Sequence, residues 1–326
     1  MNRRLAAIDD RLSRRGFHRC ASAAACGLLS AGYVAPLLAA GQGPAAAGPY
    51  VDVHTHLGRV WNRGEPLTAD ALLRWMDAGQ IEQAVVLPLV SPESSSFPIT
   101  TEYVLDATRP HRDRLIPFCA VDPRTSFSGG HAALVRILAD YKAAGARGFG
   151  EHKPGVPIDD SRNMALYAAC AEVELPVLFH LDNQRNTDAP GLPGLESVLK
   201  QHPDCNFIGH GPGWWASISG NVTQADLGGY PRGAVAPGGA IDRLMDRYGN
   251  LHGDLSAGSG AGAITRDPDF GRRFLIRRAD RLLFGTDFLA PGQDVPQLEL
   301  FASIDLPRGV ADRVFLENAR RLLTAG

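Results

Sequence analysis

The stretch VDVHTHLG, residues 51–58, is where the fold is decided. Its apolar and polar residues alternate as in a strand with one buried face, and it ends in two histidines one residue apart, His54 and His56. Residues two apart on a strand point to the same side, their Cα atoms roughly 6.6 Å apart. Asp52, His54 and His56 are therefore expected to share a face, with Asp52 one layer deeper as a structural acid or an acceptor behind a ligand. Alone, the pair is weak evidence for a metal claw, because histidines are common where a strand meets a loop.

Working outward, seven further apolar runs follow: 84–89, 115–121, 146–151, 176–181, 206–210, 250–255 and 281–287. Between them lie segments of helical period such as ADALLRWMDAG, GHAALVRILADYKAAG, SRNMALYAACAEV and DFGRRFLIRRA, with Ser161 as an expected N-cap and Gly79 and Gly145 as helix stops. Eight strand–helix repeats in about 250 residues predict a (β/α)8 TIM barrel, whose site is built at the carboxyl ends of the strands. A doubly wound sheet is the alternative, but no Gly-x-Gly-x-x-Gly turn follows the first strand. A closing helix, GVADRVFLENARRLL, is expected to cover the bottom or side of the sheet. The connection 211–240, rich in Gly and Pro and carrying Trp214, Trp215 and Tyr230, is expected to be a lid or binding loop.

Residues 1–47 stand apart from the expected barrel at 48–326. A charged head is followed, from Cys20 to Val51, by a stretch free of charged side chains and broken by Gly27, Gly32 and Pro36. That is the layout of an export signal rather than of a lasting membrane span. Ser13-Arg14-Arg15-Gly16-Phe17 resembles the twin-arginine signal, which implies periplasmic export of a folded protein.

Without residues 1–47, which hold six Arg and two Asp, the 33 basic and 35 acidic residues become 27 and 33, a net charge of −6. Such a balance argues against a nucleic-acid or anionic-membrane partner and leaves a small-molecule substrate. Cys119, Cys170 and Cys205 sit in apolar runs and are expected to be buried free thiols. Homo-oligomers are frequent for this fold, and no residue specifies one.

The later histidines change the weight of the first pair. His152, His180, His210 and His252 recur at strand ends, and Asp287 closes the last strand in LLFGTDF. Ligands from different parallel strands converge only if the sheet closes. Imidazole with carboxylate suits zinc first, with manganese or iron as alternatives, over calcium or magnesium.

The set VDVHTHLG, LFHLDN, FIGHGPGW and LFGTDF, with ENARRLL near the end, resembles the amidohydrolase superfamily. It is most similar to the branch that also holds aminocarboxymuconate semialdehyde decarboxylases and pyrone-dicarboxylate lactonases. The resemblance implies His54, His56 and His180 as metal ligands, Asp287 as ligand and catalytic base, and His210 as a second-metal ligand or an orienting catalytic group. In GFGEHKPG, Glu151 resembles the bridging Glu of two-metal members; its bland alternative is an ion pair with a neighbouring cation.

One or two divalent ions are therefore expected. The expected reaction is hydrolysis of an ester, lactone or amide by metal-activated water, with decarboxylation of an aromatic or dienoic acid as the alternative and a non-catalytic metal-binding barrel behind both. Candidate substrate-binding residues are Arg59, Lys153, Arg185 and Trp214, with Arg63 as a further carboxylate partner. Asp254 is expected to contact substrate or cap a helix.

Overall fold

A computed structural model describes residues 48–60 and 64–324. The expected export signal and Arg63 lie outside the described residues. Eight strands follow in chain order: β1 (Tyr50–Thr55), β2 (Ile81–Val86), β3 (Leu115–Pro117), β4 (Phe149–His152), β5 (Val177–His180), β6 (Phe207–His210), β7 (Leu251–Asp254) and β8 (Leu282–Leu283).

All pairings are parallel, in the orders β1-β2-β3 and β4-β5-β6-β7-β8. Two seams join these sheets into a ring. At the first, Cys119 N donates to Gly148 O at 2.9 Å and Gly150 N to Cys119 O at 2.8 Å. At the second, Val53 N donates to Phe284 O at 3.0 Å, Asp287 N to His54 O at 2.8 Å and His56 N to Phe288 O at 3.0 Å. The expected (β/α)8 barrel is thus closed, and each of the eight apolar runs contains or overlaps a strand.

Burial divides the core into two layers, as the barrel architecture requires. Val51, Val53, Val85, Leu87, Phe118, Leu178, Ile208 and Leu283 form an inner cluster, joined by Ala319, Leu322 and Leu323 of the last helix. That helix therefore seals the end where β1 begins. The outer layer packs Phe149, Phe179, Phe207 and Phe284 against helix residues such as Leu72, Met76, Leu166 and Val198. Each fully buried Val, Leu or Met there contributes about 1.5–3 kcal/mol relative to exposure.

Two details differ from the sequence expectation. Ser161 is the first residue of helix Ser161–Glu172, and its cap is Asp160, which accepts from Arg162 N. The closing helix is not continuous: α-helix over Arg308–Asp312 passes into a π turn over Arg313–Glu317 and back to α at Asn318. In this turn Val314 O accepts from Phe284 N, just past the end of β8, at 2.9 Å. Asn318 Nδ2 then pins the turn to Ala279 O and Leu282 O at 2.7 and 2.9 Å. No helix among the described residues is long and apolar enough to cross a membrane.

Candidate metal-binding active site

The site forms at the carboxyl ends of the strands, and two irregular strands aim it. β1 uses three steps, Asp52 to Thr55, where β2 uses two, Ala84 to Val86. Strict alternation is therefore lost, and Asp52 does not share a face with the histidine rings. It clasps β1 to the chain beyond β8 instead, accepting from Thr286 N and His54 N, each at 3.0 Å, and from Thr286 Oγ1 at 2.6 Å. Burial outweighs those bonds and pushes its pKa up to about 7.

β4 has the same surplus, with three steps from Phe149 to His152 against two on β5. Gly150 makes this possible: its φ is +138°, and an added Cβ would lie 2.3 Å from Leu178 O. Phe149 is thereby left in the outer layer, while Glu151 and Lys153 turn toward the site and His152 packs outward, bonded to Asn163 at 2.9 Å.

Four donor atoms meet where these strands end. His54 Nε2 and His56 Nε2 are 3.2 Å apart. Glu151 Oε2 lies 3.8 and 3.5 Å from them, and Asp287 Oδ1 3.5 and 3.6 Å. Asp287 has a φ of +59°, a conformation that Asp tolerates better than most residues. Its side chain is 18 % exposed and is the solvent-facing member of the group.

The imidazole tautomers follow from the opposite ring edges. His54 Nδ1 meets Asp254 Oδ2 at 2.7 Å and His56 Nδ1 meets Leu87 O at 2.9 Å. Both acceptors call for N–H at Nδ1, so in the neutral rings both Nε2 atoms present lone pairs to the two carboxylates. Donors about 2.0–2.2 Å from a tetrahedral zinc stand roughly 3.3–3.6 Å from one another, close to the spacing of this cluster. The residues fit a divalent cation by both distance and donor chemistry.

Further acids stand behind these donors and orient them. Asp254 Oδ2 serves His54, His210 Nδ1 at 3.0 Å and Ser256 Oγ at 2.7 Å. Burial alone would raise the Asp254 carboxyl, but the charge on His54 and bonds from His210 and His54 hold it well below the usual range. Glu151 behaves similarly: burial opposes its charge, and Lys153, with His180, His54 and His56, outweighs burial. His54 is lowered by burial but driven well above its ordinary value by Asp254 and Asp287, which marks a strongly negative cavity.

Glu151 faces two ways. Oε2 meets Lys153 Nζ at 2.8 Å, while Oε1 lies 3.0 Å from His180 Nδ1 and 3.6 Å from His210 Nε2. His54, Glu151 and His210 form one triad able to hold an ion; His54, His56 and Asp287 form another. His180 is near but differently engaged: its Nε2 meets Asp182 Oδ2 at 2.9 Å, so both ring nitrogens face carboxylates. The ion-pair and bridging readings of Glu151 both find partners in this geometry.

The candidate substrate residues are mostly occupied. Arg185 Nη1 is 2.5 Å from Asp182 Oδ2 and its Nε donates to Glu93 O at 2.8 Å. Arg59 lies over the Phe97 ring at 5.0 Å. Trp214 is fully buried in the outer core, edge-on to Phe179, and so does not line the site. Trp215 is the indole that reaches inward, donating Nε1–H to Asp254 O at 2.8 Å. Asp182 and Ser256 escaped the sequence reading; the only hints were an acid two residues after His180 and a serine two after Asp254.

The connection 211–240 lies beside these groups. Gly228 packs so closely on Asn183 that an added Cβ would be 2.3 Å from its Nδ2. Tyr230 is 59 % exposed, yet burial of its phenol, with the charges of Asp287 and Asp182, raises its pKa.

A closed parallel barrel with histidines and carboxylates gathered at its strand ends has the metallo-dependent hydrolase architecture. The amidohydrolase family model matches residues 51–324, and the chain belongs to that family. No curated protein matches it in sequence.

Three similar solved structures show the same fold. An uncharacterised TIM-barrel protein of Bordetella bronchiseptica has TM-score 0.61 at 17 % identity, covering 84 % of this chain and 98 % of its own. A protein of Acinetobacter baumannii assigned as a 2-pyrone-4,6-dicarboxylic acid hydrolase, with citric acid bound, has TM-score 0.56 at 14 % identity, covering 84 % and 99 %. A dihydroxybenzoic acid decarboxylase of Polaromonas, with manganese and 2-nitroresorcinol bound, has TM-score 0.54 at 14 % identity, covering 84 % and 96 %.

Proposed function

We propose that this protein is a metal-dependent hydrolase acting on an ester, lactone or amide of a small organic molecule. The observation that carries the proposal is the convergence of His54 Nε2, His56 Nε2, Glu151 Oε2 and Asp287 Oδ1 within 3.2–3.8 Å in the measured pairs. A divalent cation held there, zinc or manganese, supplies Lewis acidity at a substrate oxygen and makes water acidic enough to lose a proton near neutral pH.

The protein's own residues account for the rest. Asp287, on the solvent side, accepts the proton of the attacking water and delivers it to the leaving group. Asp254 holds the Nδ1–H of His54 and His210, which directs both Nε2 lone pairs inward. Burial and the neighbouring His54 charge lower the His210 pKa, and its Nε2 faces Glu151 Oε1 as a candidate acceptor or ligand. Trp215 fixes the Asp254 backbone.

Decarboxylation is the second reading, in keeping with the Polaromonas relative. It would use the same donor cluster, with Arg59 as the candidate side chain for the substrate carboxylate, since Lys153 and Arg185 bond to Glu151 and Asp182. Turnover of ester, lactone and amide panels in 18O-labelled water should place the label in the product acid, and Asp287→Asn should lower the rate by about 10²–10⁴-fold with the fold intact. Release of carbon dioxide without label would select the lyase, and an unchanged rate in the variant would remove Asp287 from the chemistry.

A further inference from the structure

Trp215, Tyr230, Pro231, Ser259, Gly262 and Arg266 enclose a small cavity of about 20 Å³ outside the donor cluster. It lies between helix Ala257–Thr265 and the connection that carries Tyr230. Three polar atoms buried here lack a hydrogen-bond partner among the described residues: Ser259 Oγ, Arg266 Nε and Arg266 Nη2. Ser259 is only 3 % exposed.

The two guanidinium nitrogens are the side-on edge of Arg266, the pair of donors that fits the two oxygens of a carboxylate or a single halide. Buried donors without acceptors are rare in folded proteins and call for a ligand.

The carboxylates whose charges reach Arg266 are Asp267 and Asp226, and the hydrogen bonds they make run to other groups. Asp267 accepts from Val235 N at 3.0 Å and Phe270 N at 3.1 Å. Asp226 accepts from Thr223 N at 2.8 Å and Thr223 Oγ1 at 2.7 Å. Burial lowers the Arg266 pKa, against the raising charges of Asp267 and Asp226. A water needs roughly 10–15 Å³ of such space, so the cavity admits a group of about that size. A small anion there would meet the same donors and add to the counter-charge of Asp267 and Asp226.

We propose that Arg266 and Ser259 form an anion site for a small monoanion, a halide or the carboxylate end of a small organic acid. The site adjoins the donor cluster, since Trp215 bonds Asp254 O and the charge of Asp287 reaches Tyr230, but none of its own donors is a candidate metal ligand and it does not depend on the proposed reaction. Trp215 lies in its wall and serves as the reporter.

Titrating the intact protein with sodium formate or sodium chloride, with the same titration of Arg266→Gln as the control for ionic strength, should give a saturable change in tryptophan emission. Arg266→Gln should abolish saturation or raise the midpoint at least tenfold, and Ser259→Ala should raise it several-fold with an unchanged far-ultraviolet spectrum. Should Arg266→Gln fail to fold, Ser259→Ala and the wild type carry the test. Competition between chloride and formate indicates a free small anion; saturation by formate alone indicates the carboxylate of an organic ligand, and either supports the site. No saturable response to either probe in the wild type, or wild-type midpoints in the variants, overturns it.

Discussion

At the scale of single residues, Asp254 organises more of the site than any ligand does. One of its oxygens faces His54, His210 and Ser256 at 2.7–3.0 Å, so one charge sets two imidazole tautomers. Partners of this kind typically contribute 10–100-fold to metal affinity. Asp254→Asn should therefore weaken zinc or manganese binding by about 10–100-fold, read by competition with a chromogenic chelator; wild-type affinity would show that His54 is oriented without it.

The candidate ligands were easier to read than their supports. His54, His56 and Asp287 announce themselves by residue type at strand ends. The bond from His54 to Asp254 crosses 200 positions of sequence, and only three-dimensional closure reveals it. For the same reason Arg185 reads as a free loop cation until Asp182 and Glu93 are seen to hold it.

At the scale of elements, the strands were legible and their irregularities were not. Apolar runs report burial, but a surplus residue on β1 or β4 is a property of the pair of strands. Counting parity therefore put Asp52 beside the histidine rings, and that expectation fails where the register shifts. Gly150→Ala tests the β4 irregularity. A methyl group at a φ of +138° and 2.3 Å from Leu178 O should cost at least about 2 kcal/mol, seen as a lower midpoint in urea together with weakened metal binding. Unchanged stability would mean that the strand can take a regular path.

β7 carries a different load. Burial, with Arg281 and Arg321 nearby, depresses His252 to about 3, so the native ring stays neutral while an unfolded one protonates below about 6.5. Its stability contribution is complete above about pH 6.5 and is lost progressively as pH falls toward 3, by up to about 1.4 kcal/mol per unit. His252→Gln should flatten the fall of urea-unfolding stability between those pH values. An identical slope in the variant would assign the acid sensitivity to other groups.

At the scale of the whole molecule, the barrel reading held because the same period recurred eight times, while the long connection showed only as an interruption. Its composition marked a lid, yet Trp214 turned out to belong to the core and Trp215 to the support of Asp254, a division that adjacent identical residues cannot disclose. The N-terminal segment makes its own prediction. If Ser13-Arg14-Arg15-Gly16-Phe17 directs export, replacing Arg14 and Arg15 together by Lys should retain the protein in the cytoplasm, as fractionation and immunoblotting would show; unimpaired periplasmic recovery would count against the twin-arginine route.

The ring closes where β1 meets the chain beyond β8, and the bond from Asp287 N to His54 O ties that seam. The site is therefore sewn across the join between the first strand and the last. A nascent chain that has made His54 and His56 holds two of the four converging donors; Glu151 follows, and Asp287 comes last. A cation held by all four would therefore report completed synthesis, whereas a fragment truncated before the eighth strand keeps only the triad of His54, Glu151 and His210.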